Sequence, residues 1–162
     1  MSGSPERLGA SCLILGYERT DSARRAAAWA ARQLQPEGKL VIVHACLPLH
    51  GPSSVLSTVE ERRELGRALI DELLLEEDAL QGIDVEADIS DRDPVSALVD
   101  AARRHGAQAI VVGHERRSPL HRVLGTVTSE LLVASPVPVI SVPPVPGGGA
   151  HGAAAEGASS AG

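Results

Sequence analysis

The sequence predicts an α/β domain built on a doubly wound parallel sheet, and three observations lead to that class. The length of 162 residues suits one domain with its own core. Hydrophobic residues make up 43% and charged residues 22% of the chain, which is typical of folded rather than disordered proteins. Short apolar runs alternate with stretches of helical periodicity. With right-handed crossovers, this alternation predicts five parallel strands with helices on both faces.

The chain begins with a strand and a helix. Residues 12–16 are apolar throughout, which predicts a strand buried on both faces. Apolar positions recur at helical spacing over residues 20–35, and this stretch is rich in Ala, a strong helix former. Thr20 or Asp21 suits the N-cap, and Pro36 is expected to end the helix.

A second strand and a long helix follow. Residues 40–43 predict a buried strand, and residues 48–54 predict a loop. The sequence Ser-Thr-Val-Glu at residues 57–60 predicts a capping box at the start of the helix, which Gly82 ends. Four leucines are predicted to form its buried stripe, namely Leu65, Leu69, Leu73 and Leu80.

The next elements are an edge strand and a well-marked helix. Residues 84–89 alternate between polar and apolar, which predicts a half-exposed strand at an edge of the sheet. Asp93 followed by Pro94 predicts a helix start, because Asp caps free N–H groups and Pro loses no hydrogen bond there. After Gly106, the apolar residues 109–113 predict another buried strand. The core face of the helix is predicted to consist of Val95, Leu98, Val99 and Ala102.

The last predicted elements are a helix over about residues 126–134 and a strand over residues 139–142. The sequence beyond them is rich in Pro, Gly, Ala and Ser, which cannot bury a core. We therefore predict a folded domain at residues 11–145, between a flexible N-terminus at 1–10 and a disordered tail at 146–162.

Composition argues against several functional classes. The formal charge of −6 disfavours nucleic acid as a partner, because nucleic-acid binding needs clustered Lys and Arg. No stretch approaches the roughly 18 apolar residues of a membrane span, and no secretory signal is evident at the N-terminus. Cys12 and Cys46 lie in or beside apolar runs without metal-ligand spacing, so both are interpreted as small buried hydrophobes. A cytoplasmic location is expected.

Ligands of doubly wound sheets bind beyond the carboxyl ends of the strands, where the winding reverses. If strands one and four are central neighbours, the loops at residues 16–20 and 113–128 line this crevice. Gly113 keeps the strand exit free of a Cβ, and Gly125 with Thr126 begins a helix whose N–H groups can hold an anion. The second loop also carries a basic cluster, formed by His114, Arg116, Arg117, His121 and Arg122.

Each of these features also has a simpler interpretation. The basic cluster is equally typical of a solvated surface loop, and the residues at 126–128 of an ordinary helix cap. Glu18 is compatible with a surface carboxylate beside Arg19. His44, at the end of a buried strand, is more typical of a structural histidine than of a ligand. His114 and His121 lack the companions of a metal site, so none is predicted.

Taken in order, several segments resemble the universal stress protein family over residues 11–142. The matching segments are Gly16-Tyr17-Glu18-Arg19-Thr20, Ala23-Arg24-Arg25-Ala26, Val43-His44, Asp93-Pro94, Val111-Val112-Gly113, Gly125-Thr126-Val127-Thr128 and Pro136-Val137-Pro138-Val139. The resemblance implies a Rossmann-like fold with strand order 3-2-1-4-5. It also implies frequent homodimers formed through the last strand, and two subclasses, one that binds ATP and one that does not.

The family's ATP pattern is a Gly, two residues, a second Gly, nine residues, and then Gly-Ser or Gly-Thr. Gly113 and the Gly125-Thr126 pair match this pattern. Arg116 stands in place of the second Gly, and only eight residues separate it from Gly125. Arg116 either obstructs the approach of the phosphates or pairs with them as a bidentate cation.

The resemblance also implies a set of nucleotide contacts. Glu18 stands where ATP-binding members usually carry Asp near the adenosine, Ala45 and Val112 would flank the adenine, and residues 125–128 would contact phosphate. The expected ligand is ATP, with Mg²⁺. The residues predicted for the site are Gly16, Tyr17, Glu18, Ala45, Val112, Gly113, Glu115, Arg116, Gly125, Thr126, Val127 and Thr128.

These observations lead us to expect a non-catalytic, nucleotide-responsive stress protein. The chain has no P-loop motif, no Gly-x-Gly-x-x-Gly opening after strand one and no recognisable catalytic triad. Two alternatives remain: a member that binds no nucleotide and acts through dimerisation and an unknown protein partner, and a slow ATP hydrolase.

A homodimer is also expected from the last strand itself. Residues 139–142 would lie at the sheet edge, where unpaired backbone groups invite another strand. The segment is apolar and uncharged, and prolines on both sides limit how far pairing can extend. The alternative is that these prolines protect the edge of a monomer.

Overall fold

The computed structural model describes residues 6–46, 58–114 and 126–144. Within these ranges the strands are β1 Ala10–Gly16, β2 Leu34–Ala45, β3 Asp84–Ser90, β4 Ala109–Gly113 and β5 Val139–Val142. The helices are α1 Asp21–Gln33, α2 Val59–Glu76, α3 Pro94–His105 and α4 Thr126–Ala134, and a short 3₁₀ turn, Asp78–Leu80, follows α2. All neighbouring strands are parallel in the order β3-β2-β1-β4-β5, which confirms the predicted class and topology.

The sheet has a core on each face, which explains the uninterrupted apolar run of β1. Leu13 and Leu15 point into the cluster beneath α1 and α2, whereas Ile14 points into the cluster beneath α3. All three side chains are fully buried. Because successive residues of a strand face opposite sides, a strand at the centre of such a sheet must be apolar at every position.

The boundary between α1 and β2 differs from the prediction. Thr20 caps α1 as expected, since its hydroxyl accepts from the N–H of Ala23, but the helix ends at Gln33. β2 then begins at once and contains Pro36. Because Ala10 pairs with Leu34 and Cys12 with Lys39, residues 35–38 stand opposite Ser11 alone. The surplus residues form a bulge in which Glu37 has φ +66, and this bulge accommodates the proline.

The start of α2 is a capping box, but one residue later than predicted. The Thr58 hydroxyl accepts from the N–H of Glu61 at 3.2 Å, and the Glu61 carboxylate accepts from the N–H of Thr58 at 2.7 Å. The helix ends at Glu76, well before Gly82. Thr58 with Glu61 has the same three-residue spacing as Ser57 with Glu60, so the sequence pattern allowed either start. At the other end, the N–H of Glu77 donates to the carbonyl of Leu73 at 2.9 Å, and the chain continues as the 3₁₀ turn.

The buried face of α2 is only partly the predicted leucine stripe. Leu73 is fully buried, but Leu65 is 63% exposed, and Gly66 and Ile70 provide the remaining inward positions. Leu80 is buried in the 3₁₀ turn rather than in the helix. The helix therefore faces the sheet through positions 66, 70 and 73, a helical spacing that brings a glycine to the closest approach.

The predictions for α3, β4, α4 and β5 are confirmed. Asp93 caps α3 by accepting from the N–H of Ser96 at 2.9 Å, and Pro94 is its first residue. Gly106 ends the helix in the left-handed conformation, with φ +57. β3 forms one edge of the sheet, as expected.

Three predicted segments lie outside the described residues: the loop at residues 48–54, the tail from residue 146 and the N-terminal residues 1–5. None of the described helices has the length and apolarity needed to cross a membrane.

Candidate functional site

Three neighbouring strands of the sheet carry uncharged residues at or next to their carboxyl ends on one face: Gly16, Ala45 and Val112. Leu15 of β1 is in register with Val111 of β4, so Gly16 lies beside Val112. A Cβ on Gly16 would lie 3.3 Å from both the Val112 Cγ1 and the methyl groups of Leu98, which identifies this face as the α3 side. Ala45, at the end of β2, packs half-buried against the same cluster. The structure thus brings together three of the predicted site residues at the reversal of the winding.

Gly113 at the exit of β4 lies directly against the start of α1. A Cβ at this position would be 2.4 Å from the carbonyl carbon of Ser22 and 2.7 Å from the nitrogen of Ala23. The predicted reason for this glycine was an uncrowded strand exit, and the atoms that would crowd it are those of the α1 backbone. The first turn of α1 therefore packs against this end of the sheet, a contact that no local sequence pattern indicated.

Tyr17 and Glu18 occupy different environments. The Tyr17 side chain is 3% exposed and packs in the core beneath α1 and α2, on the face opposite to Val112. Burial raises the pKa of its phenol. Tyr17 thus lies at the site through its backbone, while Glu18 is exposed. No ion-pair partner of the Glu18 carboxylate occurs among the described residues.

The loop after β1 is folded back on itself and tied to α2. The N–H of Thr20 donates to the carbonyl of Glu18 at 2.7 Å. Arg19, the next residue, donates to the Glu72 carboxylate at 2.9 Å. Glu18 therefore projects from a short turn with a defined backbone course.

On the face of the sheet opposite to α1, α4 begins at Thr126, as predicted. Thr126 is exposed, Val127 is half-buried and Thr128 is buried. His114 follows Gly113, and its N–H donates to the carbonyl of Val142 at 2.9 Å, which extends the β4–β5 pairing. The remaining predicted residues of this loop lie outside the described ranges, namely Glu115, Arg116, Arg117, His121, Arg122 and Gly125.

His44 and Cys46 lie at this end of the sheet, whereas Cys12 lies near the start of β1, at the opposite end. The His44 Nδ1 lies 2.9 Å from the carbonyl oxygen of Tyr17. Cys12 and Cys46 are both buried, and burial raises the pKa of each thiol. The interpretation of both cysteines as buried small hydrophobes is confirmed. The contact between His44 and Tyr17 was not predicted, but an isolated glycine within a helix, Gly66, was a signal that something packs closely there.

The fold is that of a doubly wound α/β protein whose winding reverses between β1 and β4. A family model described as the universal stress protein family matches residues 13–143, and the chain belongs to this family. The resemblance noted in the sequence is thereby confirmed. A search of curated protein sequences finds no match.

Solved structures of this family have the same fold. The universal stress protein UspA from Lactobacillus plantarum is 20% identical, with a TM-score of 0.63 over 85% of this chain and 99% of that one. A universal stress protein in complex with cAMP is 25% identical, with a TM-score of 0.61 over 83% and 97% of the two chains. A family member from Arabidopsis thaliana with AMP bound is 19% identical, with a TM-score of 0.58 over 84% and 93%.

Proposed function

We propose that this chain is a non-catalytic, cytoplasmic universal stress protein that binds an adenine nucleotide between the loops after β1 and β4. The observation that carries the proposal is the row of strand ends formed by Gly16, Ala45 and Val112. These residues share one face of the sheet. Val112 is buried against α3, whereas Gly16 and Ala45 are half-buried, so these two positions leave a small, partly accessible apolar surface beside Val112. Such a surface suits a flat purine ring, and polar groups at its margin would orient the rest of the ligand.

Two further features favour an adenine nucleotide as the ligand class. The relatives whose structures contain AMP and cAMP share the fold. Glu18 presents a carboxylate without an ion-pair partner in the described part of the chain, and carboxylates beside such crevices accept hydrogen bonds from ribose hydroxyls. ATP with Mg²⁺ is the particular ligand that the family resemblance implies.

Calorimetry on nucleotide-stripped protein tests the proposal with AMP and with ATP, each with and without Mg²⁺. We expect saturable binding that Glu18→Ala weakens by about 1.5 kcal/mol, roughly tenfold, because a hydrogen bond to a charged group is lost. Glu64→Ala removes an exposed carboxylate from α2 and should leave binding unchanged. Absence of heat and of any thermal shift would reject nucleotide binding and favour the member that acts through partners alone. Steady formation of ADP would favour the slow hydrolase.

Substitution decides between the two predicted roles of Arg116. If the guanidinium pairs with phosphate, Arg116→Ala should weaken ATP binding by roughly 1.5–3 kcal/mol. If the side chain instead obstructs the phosphates, Arg116→Gly should tighten binding. Equal affinities for the wild type and both variants would assign Arg116 to the solvated surface.

We further propose that the protein is a homodimer paired through β5. Val139 and Ile140 are half-buried apolar residues on an edge strand that has no charged side chain. On α4, which packs beside β5, Leu132 is 57% and Val133 is 89% exposed. An apolar edge strand next to an exposed apolar helix surface favours pairing with a second copy.

Light scattering at micromolar concentration tests the dimer. We expect a dimeric mass for the wild type and a monomeric mass for Ile140→Asp, because a carboxylate would be buried without a partner at the interface. Leu75→Asp is the matched control, since Leu75 is 83% exposed on α2 and distant from β5 in the sheet order. Circular dichroism checks that both variants are folded. A monomeric wild type would favour the alternative in which prolines protect this edge.

A further inference from the structure

The backbone of Tyr17, at the exit of β1, is bound by β2 through both its N–H and its carbonyl oxygen. Its N–H donates to the carbonyl of Val43 at 2.9 Å, and its carbonyl oxygen lies 2.9 Å from the Nδ1 of His44. Because a carbonyl oxygen can only accept, the imidazole must carry a proton on Nδ1 to make this bond. The last residue before the loop is thus held by two consecutive residues of the neighbouring strand.

The position of the His44 ring depends on a glycine in the middle of α2. A Cβ on Gly66 would lie 2.7 Å from the His44 Cδ2 and 3.3 Å from the Ile89 Cγ2. Glycine is unfavourable inside a helix, so its presence at this inward-facing position has a packing reason. α2 therefore presses the imidazole toward the Tyr17 carbonyl and limits the alternative positions of the ring.

His44 is the stronger of two anchors that define the course of the loop. The other anchor is the ion pair between Arg19 and Glu72, whose side chains are 66% and 35% exposed. An exposed ion pair contributes little, because water and salt screen it. The bond from His44 is partly buried, so losing it would leave a carbonyl without its partner. Glu18 lies between these two anchors.

We infer that His44 is a positioning residue of the nucleotide site: it fixes the Tyr17 carbonyl and thereby sets the direction in which Glu18 leaves the sheet. The inference rests on the proposed function, and it assigns His44 no contact with the nucleotide. It explains why a polar side chain occupies the end of a buried strand, where an aliphatic residue would pack as well.

Three substitutions of His44 separate positioning from general packing. The side-chain amide nitrogen of Asn occupies about the place of Nδ1, whereas that of Gln reaches about the place of Nε2. Leu fills the space without a donor. His44→Asn should therefore keep the anchor, and His44→Gln and His44→Leu should lose it. His105→Leu is the control, because it removes another half-buried histidine, at the end of α3.

The first measurement is amide hydrogen exchange in the ligand-free protein. We expect the amides of Tyr17 and Thr20 to exchange faster in His44→Leu and His44→Gln, and to stay near wild type in His44→Asn and His105→Leu. Gly66→Ala is an independent variant that leaves His44 intact, and displacement of the ring should accelerate the same two amides. Unchanged exchange in both His44→Leu and Gly66→Ala would overturn the inference.

The second measurement is AMP affinity by calorimetry. We expect His44→Leu and His44→Gln to bind about fivefold more weakly than wild type, the size of one lost hydrogen bond, with His44→Asn restoring the affinity. Equal weakening by all three variants would reduce His44 to a packing residue and overturn the inference. If the wild type itself binds no AMP or ATP, the proposed function and the nucleotide part of this inference both fail. The exchange data then decide whether His44 anchors the loop.

Discussion

Replacing Gly113 with Ala should destabilise the protein more than any ordinary surface change, because the new methyl group meets backbone. Its Cβ would lie 2.4 Å from the carbonyl carbon and 2.5 Å from the oxygen of Ser22. Overpacking usually costs 1–3 kcal/mol, and atoms of the helix backbone cannot swing aside as a flexible side chain can. After subtracting roughly 0.4–1 kcal/mol for the more restricted unfolded chain, we expect a net loss of about 2 kcal/mol in the free energy of unfolding, near the upper end of that range.

Urea denaturation followed by circular dichroism measures this loss, and a thermal scan should show Tm falling by roughly 4–8 °C. Gly82→Ala is the matched control. Gly82 has φ +76 and nothing within 4 Å of an added Cβ, so the control reports only backbone strain, about 1 kcal/mol. If Gly113→Ala costs no more than Gly82→Ala, the contact between α1 and the exit of β4 is not as close as we describe, and the reasoning is wrong.

Three further predictions concern the helices. Asp93→Ala should cost about 1 kcal/mol at neutral pH by removing the N-cap, and Asp93→Asn should cost less. The hydrogen bond from the Ser96 backbone lowers the pKa of Asp93. The contribution of Asp93 to the free energy of unfolding is therefore complete above about pH 4 and declines as the pH falls through the pKa of the folded state. Urea denaturation at several pH values should show a smaller decline in Asp93→Asn than in the wild type. Gly66→Ala should destabilise the protein, because the new methyl group meets the His44 ring. In a His44→Ala background the same substitution should cost about 1–2 kcal/mol less, and a double-mutant cycle measures this difference. Leu73→Ala should lower the free energy of unfolding by about 2–5 kcal/mol, because Leu73 is buried. Leu65→Ala should change it by no more than about 0.5 kcal/mol, because Leu65 is exposed, and the same denaturation assay measures both.

Most of the fold was predictable because its signals are local. The apolar runs of the central strands follow from burial on both faces, and the alternating pattern at residues 84–89 follows from a strand at the edge. Two residues, Asp93 and Pro94, were enough to predict the start of α3, because helix capping and the preference for proline act within one turn. The strand order came from the family resemblance rather than from any local pattern.

The predictions about the fold were wrong where strand pairing or packing between elements determines the structure. Pro36 would normally lie outside a strand, but the bulge opposite Ser11 accommodates it. Leu65 has the spacing of a buried residue, but α2 turns Gly66 toward the sheet instead. Neither the register of β2 against β1 nor the rotation of α2 is encoded in a single segment.

The features of the candidate site also fall into two groups, those that follow from local sequence and topology and those that depend on packing between elements. The positions of Gly16 and Val112 follow from parallel strands that end at one edge of the sheet, so sequence and topology together were sufficient. The neighbour of Gly113 and the bond between His44 and Tyr17 join residues that are distant in sequence, and only the packed structure brings them together. The roles of Arg116 and Gly125 stay predictions.

The two edges of the sheet explain why pairing through β5 would give a closed dimer rather than a growing assembly. On β3, Glu86 lies 3.1 Å from the ammonium of Lys39, which lowers the pKa of the Glu86 carboxyl, and Asp88 pairs with Arg104. Charged side chains on an edge strand oppose strand addition, because a partner would have to desolvate them. β5 has no such charges. In a dimer with a two-fold axis beside β5, the apolar edges of both copies pair with each other. Only the charged β3 edges then remain exposed, so no further copy would be added.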